Sequence, residues 1–140
     1  MKAKELMIGD WVAYRHKYML NPLLCEVISI DVPHGELVLR HLQSEKVDEF
    51  GNKYYKVIKT RYEDVFAIPL TAEILEKNGW SLKPINEKAS IWCHPDIPFH
   101  LSSYLKIWEF DMFSFNYIHE LQHALRLCGL NELADNFKIN

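Results

Sequence analysis

Leu23-Leu24-Cys25-Glu26-Val27-Ile28-Ser29-Ile30-Asp31-Val32 is the stretch on which the reading of this chain turns. Ile28, Ile30 and Val32 fall on one side of an extended backbone and Ser29 and Asp31 on the other, the period of two that marks a half-buried strand. Pro33-His34-Gly35 ends it, because proline fixes φ and glycine permits a positive φ. Outward from there, Asn21-Pro22 and Gly51-Asn52 are further breaks. They leave five strand candidates, residues 9–16, 23–32, 35–42, 53–60 and 62–68. Strands this short and this regularly spaced predict a small antiparallel β-barrel-like unit, SH3-like or OB-like, over residues 1–68.

Pro69-Leu70-Thr71 closes that region and opens a short connecting helix. Thr71 can accept from the free backbone N–H groups, Glu73 suits the positive first turn, and Asn78-Gly79 supplies a left-handed stop. Residues 80–115 carry aromatic and β-branched side chains around Pro84, Pro95 and Pro98, and predict two or three further strands. The clearest covers residues 104–110, whereas residues 93–100 read as a loop because proline removes ladder donors. A last amphipathic helix over residues 116–128, stopped by Gly129, gathers Ile118, Leu121, Ala124 and Leu125 on one stripe. His119, Gln122, His123 and Arg126 fall on the opposite side and are expected to face water, and one more helical turn is expected after Leu130. The expected class is α+β: residues 1–68 form the barrel-like unit and residues 69–140 an α+β unit packed on it, together one compact domain.

The 140 residues are 49% hydrophobic and 25% charged, which excludes a disordered or fibrous chain and allows a core that needs neither disulfide nor metal. A net charge of −3 gives no global attraction to nucleic acid or to an anionic membrane. No apolar run approaches the roughly 20 residues of a membrane-spanning helix, and the first ten residues lack the apolar core of a secretion signal. Cys25, Cys93 and Cys128 are odd in number and form no Cys-x-x-Cys pair. Reduced thiols in a cytoplasmic protein follow from that usage.

One string has the form of a catalytic motif. His119-Glu120-Leu121-Gln122-His123 places two imidazoles four residues apart on one helix face with a glutamate between them, the pattern that binds Zn²⁺ and polarises its water. A zinc-dependent hydrolase with His119 and His123 as ligands and Glu120 as catalytic base is therefore the alternative reading. Against it stand the missing third ligand and the outward orientation. Arg126 occupies the place where a longer motif has glycine, no histidine follows His123, and Glu132 and Asp135 lie too near in sequence. The expectation is no catalytic residue, no metal and no cofactor, with zinc as the alternative.

Other groupings carry less chemistry. Cys93, His94, Asp96 and His100 crowd one loop, although adjacent residues such as Cys93 and His94 do not readily point at one ion. Lys53, Tyr54, Tyr55, Lys56, Lys59, Arg61 and Tyr62 interleave cations with rings, as single-stranded nucleic-acid platforms do. Residues 1–68 nevertheless balance 10 basic against 10 acidic side chains, which favours a solvated sheet face and leaves a nucleic-acid-binding barrel as the second alternative. Trp11, Tyr14, Tyr54 and Tyr55 are the candidates for a surface that meets a protein partner, with core packing the competing reading for Trp11.

Three blocks carry a resemblance: Lys4-Glu5-Leu6-Met7-Ile8-Gly9-Asp10-Trp11-Val12, Ile68-Pro69-Leu70-Thr71-Ala72-Glu73-Ile74-Leu75-Glu76-Lys77-Asn78-Gly79-Trp80, and the segment from Tyr117-Ile118-His119-Glu120 to Gly129-Leu130. In this order they resemble a group of small uncharacterised proteins of intestinal anaerobic bacteria, often met in phage-like or mobile-element surroundings. The resemblance brings no established activity. It weakens the zinc reading of His119, Glu120 and His123, since similar members can carry Val-His-Gln-Leu-Gln-Asn in place of the string. The resulting expectation is a non-enzymatic protein-interaction module of prophage or mobile-element origin, acting on an unidentified protein partner and not on a membrane.

Overall fold

The computed structural model describes residues 5–85, 87, 90–104, 107–110 and 113–139. The chain is a mixed α+β protein with a curled antiparallel half-barrel sheet and a few helices, and it divides into two compact units, Met1–Ile68 and Pro69–Asn140. Among the described residues no helix is long and apolar enough to cross a membrane.

The first unit contains β1 (Trp11–Tyr14), β2 (Leu23–Asp31), β3 (Glu36–His41), β4 (Lys46–Val47), β5 (Lys53–Tyr54), β6 (Val57–Arg61) and β7 (Val65–Phe66). Five of these form one antiparallel sheet in the order β6-β3-β2-β1-β7, and β4 with β5 forms a separate two-stranded ribbon. The main sheet has to curl. Its two edges, β6 and β7, are consecutive in the chain and joined only by the 3-10 turn Tyr62–Asp64. Four residue steps reach at most about 14 Å, whereas the edges of a flat five-stranded sheet stand about 19 Å apart. The concave side holds the core: Leu6, Val12, Cys25, Val27, Leu37, Leu39 and Val65, with Tyr14, Ile30, Ile58 and Tyr62 packed against it.

On β2 the structure departs from strict alternation. Val27 lies opposite Leu39 and Ser29 opposite Val38, so Ile28 is an extra residue, a β-bulge. Directly opposed residues share a sheet face. The bulge therefore brings Ile30, opposite Leu37, onto the same inner side as Cys25 and Val27, and the expected common face of Ile28, Ile30 and Val32 is broken. Val32, beyond the strand, is exposed. The stretch expected as one strand at residues 53–60 divides into β5 and β6, and most of residues 62–68 goes to the 3-10 turn and the short β7.

In the second unit α1 (Ala72–Lys77) starts where the sequence placed it, with Thr71 Oγ1 accepting from the Ile74 N–H at 3.3 Å. It is followed by β8 (Ser81–Pro84), β9 (Ser90–Cys93), β10 (Leu101–Tyr104), β11 (Ile107–Phe110) and β12 (Phe113–Phe115), each antiparallel to the next. Of the strand expected at residues 104–110, Ile107–Phe110 form β11 while Tyr104 ends β10 opposite Ile107; residues 105–106 lie outside the described residues, as does Lys4 of the first resemblance block. Helices α2 (Ile118–Leu127) and α3 (Asn131–Asp135) complete the unit.

Both α1 and α2 end in the same device. The Trp80 N–H donates to the Leu75 carbonyl and Gly79 to Glu76; likewise Leu130 donates to Leu125 and Gly129 to Arg126. These are Schellman caps, and they need φ of +85° and +76° at Gly79 and Gly129. Trp80, the first residue past the α1 cap, folds back into the core beside Leu75.

The Cys25 thiol in the first unit's core is pushed up from 9.0 to about 12 by burial. In the unfolded chain the thiolate forms near 9, so this group's stabilisation is intact below pH 9 and declines as pH rises toward 12. Unfolding free energy measured in urea from pH 8 to 11 should fall more steeply for the native chain than for Cys25→Ala. Equal slopes would show that this thiol does not contribute.

Candidate functional site

The string 119–123 lies at the very start of α2, and this position determines what its glutamate does. Tyr117 is the N-cap, so Glu120 is the third helical residue. Its Oε1 accepts the backbone N–H groups of Tyr117 at 3.1 Å and Asn116 at 3.0 Å, the carboxylate half of a capping box. The carboxylate is thus bound to its own helix terminus. His119 is buried, its ring stacked on Tyr117 with centroids 5.9 Å apart, and His123 meets it edge-on at 5.6 Å. The expected outward orientation of this side is corrected by α3. Gln122 is fully buried and its Nε2 donates to the Ala134 carbonyl at 3.0 Å, while Asp135 lies 3.7 Å from the Arg126 guanidinium. A short helix after Gly129 thus packs on the face that hydropathy alone assigns to solvent.

The loop after β9 pairs its side chains locally. Cys93 Sγ lies 3.3 Å from His100 Nδ1, and His94 Nδ1 accepts the Asp96 N–H at 3.1 Å. Among the described residues no three of His, Cys, Asp and Glu come close enough to hold a metal ion.

The four candidate surface aromatics of the first unit go to three places. Tyr14 packs against the core. Trp11 points the other way, to the convex side, because Val12 beside it points inward. Register aligns Trp11 with Glu26, Glu26 with Arg40 and Arg40 with Val57, a row across four strands on that convex face. Arg40 is ion-paired with Glu26, and its guanidinium lies over the Tyr55 ring, 4.5 Å from the centroid. Tyr54 belongs to the ribbon. Of the interleaved cations, Lys53 pairs with Glu45 at 3.0 Å and Lys59 with Glu36 at 3.3 Å, and Tyr62 packs on the core. That pairing uses locally the charge a phosphate backbone would need.

The ribbon of β4 and β5 has all four of its strand residues exposed. Its base is fastened by Ser44, whose hydroxyl donates to the His41 carbonyl at 2.6 Å and accepts the Lys56 N–H at 2.7 Å. Its tip is built by Asp48, whose Oδ1 accepts the N–H groups of Asn52 at 2.8 Å and Phe50 at 2.9 Å. Gly51 completes the turn at φ +83°. This frame holds Phe50 in water, 80% exposed, with Val47 and Tyr54 exposed behind it. The sequence reading noted Tyr54 and missed Val47 and Phe50. Their signal was present in Val47-Asp48-Glu49-Phe50-Gly51-Asn52, a large apolar side chain inside a stretch of turn formers.

No protein-family profile, no curated protein and no solved structure matches this chain.

Two outcomes test this geometry. Glu120→Ala should lower stability by about 0.5–1 kcal/mol, the range for a lost helix-terminal hydrogen bond and dipole interaction, read by thermal denaturation. The Asp48 carboxyl is held below the usual aspartate range, first by the Asn52 backbone N–H. Its ordering of the tip is therefore complete above the ordinary aspartate range and lost as pH falls through the lower folded value. Asp48→Ala should speed hydrogen exchange at the Phe50 and Asn52 amides already at neutral pH.

Proposed function

We propose that this chain is a non-enzymatic protein-interaction module of the cytoplasm, of prophage or other mobile-element origin, whose first unit is a curled sheet of the SH3-like or OB-like kind. The partner is a protein, and the contact is made through the β4–β5 ribbon. The observation that carries this reading is Phe50, a large apolar side chain held 80% exposed by a turn whose backbone donors are bound to Asp48. An exposed ring on a mobile loop would lose conformational freedom on binding; a ring on an ordered tip has lost most of it beforehand. Aromatic anchors of this kind dominate protein interfaces when they enter a pocket on the partner. Val47 and Tyr54 enlarge the apolar surface behind the tip. The hydrolase reading loses support because Glu120, its general base, is bound to the backbone N–H groups of Asn116 and Tyr117.

Replacing Phe50 with a photo-crosslinking phenylalanine analogue, in an extract of the source cell, should join the chain to one recurrent protein. Phe50→Ser should weaken binding of that purified protein by roughly 30-fold, the effect of removing an interfacial anchor, and leave the melting temperature within about a degree. Crosslinks only to nucleic acid, or unchanged binding by Phe50→Ser, would reject the reading.

A further inference from the structure

The second unit carries an open-sided cavity of about 400 Å³. That size lies within the roughly 300–1,000 Å³ of small-molecule sites. Its apolar lining comes from Trp80, Ile97, Leu125 and Phe137, each at least nine-tenths buried. The polar lining comes from Asn78, His94, Asn136 and the two lysines, Lys77 and Lys138, and no carboxylate contributes among the described residues.

The walls are held in place by the Asn78 side chain. Its Oδ1 accepts the Lys138 N–H at 2.6 Å, while its Nδ2 donates to the carbonyls of Lys138 at 2.6 Å and Ile74 at 2.8 Å. One amide thereby imitates a strand partner and fixes the tail, which carries Phe137 and Lys138, beside the end of α1. Lys77 Nζ adds a contact to the Ile139 carbonyl at 3.3 Å. His94 is placed as firmly. Its Nδ1 accepts the Asp96 N–H, so the neutral ring carries its proton on Nε2. That Nε2 lies 2.9 Å from where a side chain on Gly79 would begin, so only glycine leaves the imidazole its seat. The ring also meets Trp80 edge-on, 5.7 Å between centroids.

An open-sided apolar cavity with two lysines and the His94 imidazole in its lining, and no acid there among the described residues, favours a ligand that is greasy and negative at one end. We infer that this cavity binds a small apolar monocarboxylate, its hydrocarbon against Trp80 and Phe137 and its carboxylate met by Lys77 and Lys138. A neutral molecule of the same shape would keep the apolar contact and lose the charged one. The site lies wholly within the second unit, so its failure leaves the ribbon reading untouched.

Calorimetric titration of the full chain with 3-phenylpropionate, set beside uncharged 3-phenylpropanol, tests this. The acid should bind saturably, one per chain. The alcohol, and the acid with Lys77→Gln/Lys138→Gln, should each bind at least about tenfold more weakly. Leu133→Trp, which fills the cavity from its wall, should abolish binding. No saturable binding of the acid at millimolar concentration, equal binding of acid and alcohol, or undiminished binding to a folded Leu133→Trp would each overturn the proposal. Should Leu133→Trp fail to fold by circular dichroism, the double lysine variant decides, since both of its positions are exposed.

Discussion

A single unpaired residue, Ile28, sets the geometry on which the first unit depends. Without the bulge, Cys25 and Val27 would face one side of β2 and Ile30 the other, and the inner wall would lose a side chain where β2 meets Leu37. A bulge also raises the local twist. The sheet needs that twist, because the three residues of the 3-10 turn cannot span the edges of a flat one. Bulge and turn are two expressions of one demand, that five short strands close around seven buried side chains. The edge strand β6 carries two cations, Lys59 and Arg61, beside Val57 on its exposed side, and charge there discourages pairing with a stray strand.

What could be read from the sequence was whatever is written locally. Thr71, Asn78-Gly79 and Gly129 act within a few residues of themselves, and the structure uses all of them as helix boundaries. Proline and glycine punctuation likewise located β2 and β3 to within a residue or two. What could not be read was written at a distance. The bulge at Ile28 answers to Leu37 and Leu39 on a neighbouring strand, and nothing inside β2 announces it. The burial of Gln122 answers to α3, twelve residues on. A helical wheel sees one helix, and it assigns a glutamine to solvent unless another element supplies the acceptor.

The string 119–123 shows how position within a helix can override a residue pattern. At the third helical position a glutamate meets unpaired N–H groups and the positive end of the backbone dipole, both close and both always present. A metal must arrive from solution and needs three donors to be held well. The N-terminal backbone therefore holds this carboxylate, and the same five letters in mid-helix would offer it no unpaired N–H groups. The aromatic residues of the first unit show the same dependence on context: Tyr14 goes inward, Tyr55 lies under a guanidinium, and Tyr54 stays on the ribbon.

The Asn78 clamp has a consequence for how the chain comes into being. Its partner, Lys138, lies 60 residues further along. During vectorial synthesis the first unit has every strand it needs long before that partner is made, while the Asn78 side chain has only the Ile74 carbonyl within its own helix. Closing so wide a loop is entropically slow and comes late. The wall between α1 and Phe137 is therefore completed only once the stretch around Lys138 has been made.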